Sequence, residues 1–107
     1  MTRVVVNSGV CGMIVTIEVT KTSRRRFRIE ITTDCEMLTK MGESLVEVDQ
    51  KDVLKPPIHS KIYQCASECR IHTSCPVPMA ILKAIEVEAG LALPRPVTVD
   101  FQLSPLA

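Results

Sequence analysis

Apolar and polar residues alternate with a period of two along the first third of the chain. Residues 13–20 and 26–32 place apolar side chains at every second position, with one exception, and this spacing predicts half-buried strands. The polar residues 21–25 between them predict a hairpin turn. Residues 3–6 are a short β-branched run and predict another strand.

After this hairpin the apolar period lengthens to about 3.6 residues, which predicts a helix. Its apolar stripe consists of Cys35, Leu38, Met41, Leu45 and Val48. Thr33 and Glu36 fit a capping box, with Thr33 as the N-cap and Glu36 as the third helical residue. This interpretation puts Cys35 in the first turn of the helix.

Two shorter helices are predicted in the middle of the chain. Residues 49–55 form the first, and Pro56-Pro57 stop it because proline cannot continue a helix. Ser60 is the candidate N-cap of the second, over residues 61–70.

The longest predicted helix begins at Cys75-Pro76 and ends at Gly90. Proline is favoured at the first helical position, and glycine is favoured just beyond the last. Residues 97–103 alternate again and predict a final strand. Hairpin strands followed by helices are typical of an α+β fold, here an antiparallel sheet with helices packed on one face.

The composition indicates a single domain over residues 1–107 and argues against several classes of function. Aromatic residues make up 3% of the chain, too few for a base-stacking nucleic-acid platform, and the net charge of +1 argues against a polyanionic partner. No apolar run reaches the length of a membrane span, about 18 residues, and the first residues do not form an export signal. We therefore expect a cytoplasmic protein.

The residues most informative about function are the five cysteines, Cys11, Cys35, Cys65, Cys69 and Cys75. In a reducing compartment, cysteines are free, metal-bound or reactive more often than paired, and an odd number fits poorly with a closed disulfide framework. The alternative is that each thiol is a small buried apolar group. We favour that alternative for Cys65, which shares a predicted helical face with Ile62.

Three of the thiols have surroundings that favour a role as metal ligand or nucleophile. Cys35 and Cys75 lie at predicted helix N-termini, where free N–H groups and the helix dipole stabilise a thiolate and lower the pKa of the thiol. Cys11 lies in a turn between Gly9 and Gly12, and glycine lets the backbone approach a ligand closely. All three are next to predicted strand ends, so we expect them to meet at one edge of the sheet.

Four such thiols suit tetrahedral zinc or an iron–sulfur cluster. The predicted ligands are Cys11, Cys35, Cys69 and Cys75. Their spacing is wider than the paired C-x-x-C pattern of a zinc ribbon, so the choice of metal stays open. His59 and His72 are further candidate ligands or proton carriers, and His72 is the closer to Cys75 in sequence.

The run Thr73-Ser74-Cys75-Pro76, at the start of an apolar helix, resembles the signature of the TSCPD domain family. Those domains carry upstream cysteines at three places, which match Cys11, Cys35 and Cys69. The run Ser-Cys-Pro-Val-Pro at residues 74–78 also resembles a motif of small uncharacterised prokaryotic proteins.

The Cys11-Gly12 turn, Cys35 and Cys75 are also similar, one by one, to the cluster-binding cysteines of iron–sulfur scaffold proteins of the NifU/IscU type. This resemblance implies a NifU/IscU-like fold, metal binding by these three cysteines, and a protein partner in cluster or sulfur transfer. Met13 stands where the scaffolds carry an aspartate implicated in cluster transfer. The resemblance therefore fits a stably held metal better than a transferred one.

Two other classes of function stand beside a metal- or iron–sulfur-binding domain. In the first, Cys75 is the activated nucleophile of a thiol enzyme or the sulfur atom of a persulfide carrier. In the second, the cysteines are packing groups of a structural or interaction domain. Metal content and thiol reactivity separate these three hypotheses.

Overall fold

A computed structural model describes residues 1–105 as an antiparallel sheet with helices on one face, which confirms the predicted α+β class. The sheet contains β1 (Thr2–Asn7), β2 (Ile14–Ser23), β3 (Arg26–Thr32) and β4 (Glu47–Asp49), in that spatial order. The helices are α1 (Glu36–Ser44), α2 (Lys61–Glu68) and α3 (Val77–Glu88).

Alternation in the hairpin of β2 and β3 decides which face of the sheet is buried. Ile17 lies between Val4 on β1 and Ile31 on β3, and its side chain is fully buried. Val15 and Val19, its apolar neighbours along β2, face the same way and are also fully buried. Successive strand residues point to opposite faces. Helices α1 and α3 therefore pack on the apolar face, and the polar residues of β2 lie on the other.

α1 begins later and ends earlier than the apolar stripe predicts. Cys35 has an extended backbone and is the N-cap, and Glu36 is the first helical residue. The predictions of Thr33 as the N-cap, of Cys35 in the first turn and of Glu36 as the third helical residue are therefore wrong. Thr33 Oγ1 instead accepts a hydrogen bond from the Cys35 N–H at 3.1 Å. Leu45 is the C-cap, and Val48 lies on β4 opposite Phe27. The residues of the predicted stripe are therefore divided between a helix and a strand. Leu45 and Val48 are nevertheless both buried in the same core, as their apolar character predicts.

α2 is capped by a residue that the sequence pattern does not indicate. Ser60 occupies the N-cap position as predicted, but its buried hydroxyl makes no hydrogen bond within residues 1–105. The Asp52 carboxylate instead accepts a hydrogen bond from the Lys61 N–H at 3.2 Å and lies 3.6 Å from the Lys55 ammonium. Asp52, only 5% exposed, therefore satisfies one of the free N–H groups at the helix start.

The other predicted helices are shorter than expected. α3 begins at Val77, so Pro76 is its N-cap and not its first helical residue as predicted. The helix stops before Gly90, as predicted, and the φ of +76° at Gly90 suits a helix end. The short helix predicted over residues 49–55 is reduced to the 3₁₀ turn Gln50–Val53. None of the helices within residues 1–105 is long and apolar enough to cross a membrane.

α3 runs along β1 and β2, and Glu88 fixes its direction. Glu88 Oε1 accepts a hydrogen bond from Thr2 Oγ1 at 2.7 Å, and Oε2 accepts one from the Lys21 N–H at 3.1 Å. The C-terminal end of α3 therefore lies beside the start of β1 and the end of β2. A helix of this length spans about 18 Å and β1 spans about 20 Å, so the start of α3 reaches the opposite end of these strands.

The prediction of a sheet strand over residues 97–103 is wrong for the sheet that the structure describes. These residues pair with no strand in residues 1–105, and their apolar side chains are exposed. Alternation indicates that a segment suits a half-buried strand. It does not indicate which sheet edge the segment joins.

We expect Asp52→Ala to destabilise the protein by about 1–2 kcal/mol, the usual effect of removing a helix cap. Ser60→Ala is expected to change the free energy of unfolding by less than about 0.5 kcal/mol, because it removes a hydroxyl that is unpaired in the described part of the chain. Urea unfolding at neutral pH measures both effects. Asp52→Asn is the control, since its amide oxygen remains an acceptor. A larger loss for Ser60→Ala than for Asp52→Ala contradicts this assignment of the cap.

The Glu88 carboxylate makes stability depend on pH. Burial raises the pKa of Glu88, but the hydrogen bonds from Thr2 and the Lys21 N–H, together with the hydrogen bond and charge of the Met1 terminal ammonium, leave this pKa below its usual value. Such a group stabilises the fold above its unfolded pKa, about 4.3, and this contribution is lost as the pH falls through the folded pKa.

We therefore expect Glu88→Gln to lower the Tm at neutral pH, with a difference from the unchanged protein that shrinks below about pH 4. Thermal unfolding followed by circular dichroism across this pH range measures the difference. Glu86→Gln, on the same helix, is the control and leaves the Tm nearly unchanged. An equal Tm difference at neutral and acidic pH excludes the charge of Glu88 as the cause.

Candidate thiol site

Three of the five cysteines lie at one end of the sheet. Cys11 is in the loop between β1 and β2, and Cys35 follows β3. Thr32, at the end of β3, pairs with Thr16 near the start of β2, so Cys35 is near the same strand ends as Cys11. Cys75 precedes α3, whose start reaches this end because Glu88 holds the other end of the helix at the start of β1.

Cys11 lies in a tight loop that glycine makes feasible. Gly9 and Gly12 adopt φ values of +76° and +73°, in the left-handed region that other residues avoid. The Gly12 N–H donates to the Gly9 carbonyl at 2.8 Å and closes a single 3₁₀ turn. The Cys11 sulfur, 3.9 Å from the Ser8 carbonyl, is in an exposed residue. The loop therefore presents this thiol to solvent.

Cys35 is held by hydrogen bonds to its own backbone. Its N–H donates to Thr33 Oγ1, and its carbonyl accepts from the Thr39 N–H at 2.9 Å and from Thr39 Oγ1 at 3.0 Å. These contacts fix the N-cap geometry of α1 and leave the thiol free to point elsewhere. The residue is half-buried and packs against the hydrophobic core.

Cys75 is half-buried immediately before α3, and its N–H donates to the His72 carbonyl at 2.9 Å. Burial raises the pKa of the Cys75 thiol, and negative charge at Cys11 and Cys35 raises this pKa further. The Val77 N–H donates a hydrogen bond to the Cys75 sulfur, which lowers the pKa by less than burial raises it. The prediction of a lowered pKa at Cys75 is therefore wrong, because it counted the helix terminus and left out burial and neighbouring thiols.

Cys11 and Cys35 are near enough to Cys75 for negative charge on them to raise its pKa, and all three lie at one end of the sheet. Within residues 1–105 they do not form a group arranged to hold a metal ion. Convergence of the three thiols in one pocket therefore stays a prediction.

Cys65 and Cys69 form a second pair, four residues apart at the end of α2. Cys65 is buried in the core as predicted, and its sulfur lies 3.8 Å from the Met41 carbonyl. Burial raises the pKa of Cys65 to about 11, and the charge of Cys69 and a hydrogen bond between the two thiols add to the effect. Cys69 is the C-cap of α2 and is half-buried. Its assignment as a fourth ligand stays a prediction.

The candidate histidines are exposed. His72 Nδ1 lies 3.4 Å from Ser74 Oγ, and the His72 side chain lines a shallow groove with Tyr63 and Pro78. His59 is in the 3₁₀ turn Pro57–His59. No group of three or more His, Cys, Asp or Glu side chains in residues 1–105 is arranged to hold a metal ion. All five cysteines are free thiols.

Comparison with protein families gives one match. The model of a family of unknown function, DUF6951, matches residues 2–101. The chain belongs to the DUF6951 family. Comparisons with curated proteins and with solved structures found no match. The DUF6951 match spans all five cysteines and reaches Phe101, well beyond the end of α3.

The four-residue spacing of Cys65 and Cys69 predicts that both lie on one face of a helix, and they form a pair at the end of α2. The burial of Cys75 is the feature of the site that the sequence pattern does not predict. No comparable signal marked the burial of Cys75, which depends on how α3 packs across the sheet.

We expect the five thiols to differ in alkylation rate at about pH 8. A pKa of about 11 leaves about one Cys65 thiol in a thousand ionised at that pH, and burial further restricts access, so Cys65 reacts last. Exposed Cys11 reacts first, ahead of Cys75. Iodoacetamide labelling followed by peptide mass spectrometry measures the order, with protein unfolded in urea as the control in which the differences collapse. Fastest labelling at Cys75 contradicts its raised pKa and favours the nucleophile hypothesis.

Proposed function

We propose that this chain binds a soft metal ion or an iron–sulfur cluster through Cys11, Cys35 and Cys75. The proposal depends on one observation: Cys11, Cys35 and Cys75, from three separate parts of the chain, lie at the same end of the sheet. Thiolates are the preferred ligands of zinc and of iron–sulfur clusters. The resemblance of these three positions to the cysteines of NifU/IscU-type scaffolds points to the same set.

Electrostatics explains why a cation suits this region. Neighbouring thiolates repel one another, so protons are retained at neutral pH when no cation is present. A bound cation replaces those protons and removes the repulsion, which couples metal affinity to pH. In residues 1–105 these thiols are not arranged around a metal ion, so binding requires them to move together. Exposed Cys11, on its glycine-flanked loop, is the thiol best able to move.

The proposal also includes a fourth ligand, a protein partner and a cellular compartment. Tetrahedral zinc needs a fourth donor, for which Cys69 is the predicted candidate. A protein partner in cluster or sulfur transfer is the partner that the scaffold resemblance implies. We propose a reducing compartment, the cytoplasm, since all five cysteines are unpaired thiols.

A thiol enzyme or persulfide carrier is the second candidate function. It requires a thiolate at neutral pH, and the raised pKa of Cys75 disfavours one. Metal binding is not weakened by the same observation, because the metal itself displaces the proton.

The test is the metal content of protein purified without oxygen. We expect about one zinc ion or one iron–sulfur cluster per chain, measured by elemental analysis, sulfide assay and the ultraviolet–visible spectrum. Cys11→Ser, Cys35→Ser and Cys75→Ser should each lower metal content or affinity by about tenfold or more, since outer-shell changes alone cost about that much.

Cys65→Ala is the matched control and retains the metal, because Cys65 is a core residue outside this set. Cys69→Ser decides whether Cys69 is the fourth ligand. Metal content that is unchanged in Cys75→Ser, or metal-free protein in every preparation, contradicts the proposal.

A further inference from the structure

Beyond Gly90 the chain leaves the folded core as an extended segment, residues 91–105, here called the outer segment. α3 ends with the Gly90 N–H donating to the Val87 carbonyl at 3.0 Å and the Leu91 N–H donating to the Glu86 carbonyl at 2.8 Å. This pair of bonds is a Schellman motif, which turns the chain sharply away from the helix axis. The Arg95 N–H then donates to the Leu93 carbonyl at 2.9 Å around Pro94.

The outer segment has the alternating side-chain pattern of a half-buried strand, but its apolar side chains are exposed. Val97, Val99, Phe101 and Leu103 are 50%, 76%, 87% and 85% exposed. Polar residues separate them at every position between. A strand of this pattern gains stability by burying its apolar side against a core and by pairing its backbone with a neighbouring strand.

The sheet has one long open edge that matches this segment. β1 is an edge strand of six residues, and within residues 1–105 nothing pairs with its outer side. The opposite edge is β4, which has three residues, and the Lys61 ammonium donates to its Glu47 carbonyl at 3.1 Å. An open edge strand that carries Val4, Val5 and Val6 is a template for another strand.

We propose that two copies of this chain dimerise by exchanging their outer segments, so that residues 97–103 of each copy add as a fifth strand beside β1 of the other. Both halves of the contact, a free edge and a free strand, are in one chain, so two copies satisfy each other in a closed two-fold arrangement. The lengths agree, since β1 has six residues and the alternating run has seven.

The apolar and polar sides of residues 97–103 also match the two sides of β1. Val4 and Val6 lie on the helix-covered side of the sheet, and Arg3 lies on the uncovered side. A strand with Phe101 on the helix side extends the apolar layer that α3 covers. The same strand places Asp100 on the side that carries Arg3, where opposite charges on adjacent strands attract.

The exposure of the outer segment favours exchange over pairing within one chain. Residues 97–103 are exposed throughout and pair with no strand of their own sheet in the described residues. The molecule measures 53 × 30 × 24 Å, so its longest dimension is more than twice its shortest. The DUF6951 match continues to residue 101, so the family's domain includes most of this segment as well as the folded core.

Sedimentation of the full chain tests the exchange, in the presence of a chelator and a reductant so that neither metal nor disulfide links two copies. We expect a dimer at micromolar concentrations. Val99→Glu with Phe101→Glu should weaken the dimer by at least about a hundredfold in Kd, since it places two charges on the apolar side. Thr98→Glu with Gln102→Glu adds the same charge on the polar side and should weaken it far less.

Hydrogen exchange locates the contact. We expect protection of the backbone N–H groups in residues 97–103 and of those in β1 that face away from β2, with loss of both in the Val99→Glu, Phe101→Glu variant. A monomer at every concentration overturns the proposal. Protection that persists in a monomer shows pairing within one chain and also overturns it. A dimer unaffected by Val99→Glu with Phe101→Glu has its interface elsewhere, which overturns it too.

Discussion

The packing of α3 along β1 and β2 is the constraint on which the candidate site depends. A buried apolar face attaches the helix to the sheet, and the Glu88 carboxylate fixes its direction by accepting hydrogen bonds from Thr2 and from the Lys21 backbone. A carboxylate at the end of a helix is unfavourable for the helix dipole, so its stabilisation comes from these tertiary contacts. Because helix and strand have similar lengths, fixing one end of α3 brings Cys75 to the loop that holds Cys11.

The same packing determines the chemistry that the thiols can support. A cysteine at an exposed helix N-terminus has a lowered pKa, but Cys75 is half-buried beside other thiols. Burial and like charge favour the protonated form, and a single hydrogen bond from the Val77 N–H does not compensate. Such a cluster is poorly suited to nucleophilic attack at neutral pH. The metal binding that we propose depends instead on a cation to stabilise thiolates that otherwise repel one another.

The two edges of the sheet differ in a way that concerns assembly. β4 is short, and Lys61 from α2 contacts its outer carbonyl, whereas β1 is longer and open in the described residues. The unpaired N–H and C=O groups of an open edge strand can pair with a strand from another chain. The outer segment of residues 91–105 supplies, in the same chain, a strand with the matching pattern.

Local patterns in the sequence determined the strands of the hairpin, the core positions along α1 and α3, the α+β class and the core location of Cys65. These features depend on side-chain period and on glycine and proline, which act over a few residues. Tertiary structure decided the rest. It moved Val48 from a helix to β4, made Asp52 the cap of α2 in place of Ser60, and left residues 97–103 outside the sheet. It also raised the pKa of Cys75, since burial and the charges of Cys11 and Cys35 come from residues distant in sequence. A period shows which side of a segment is apolar, but the neighbour that covers that side is decided only when the whole chain packs.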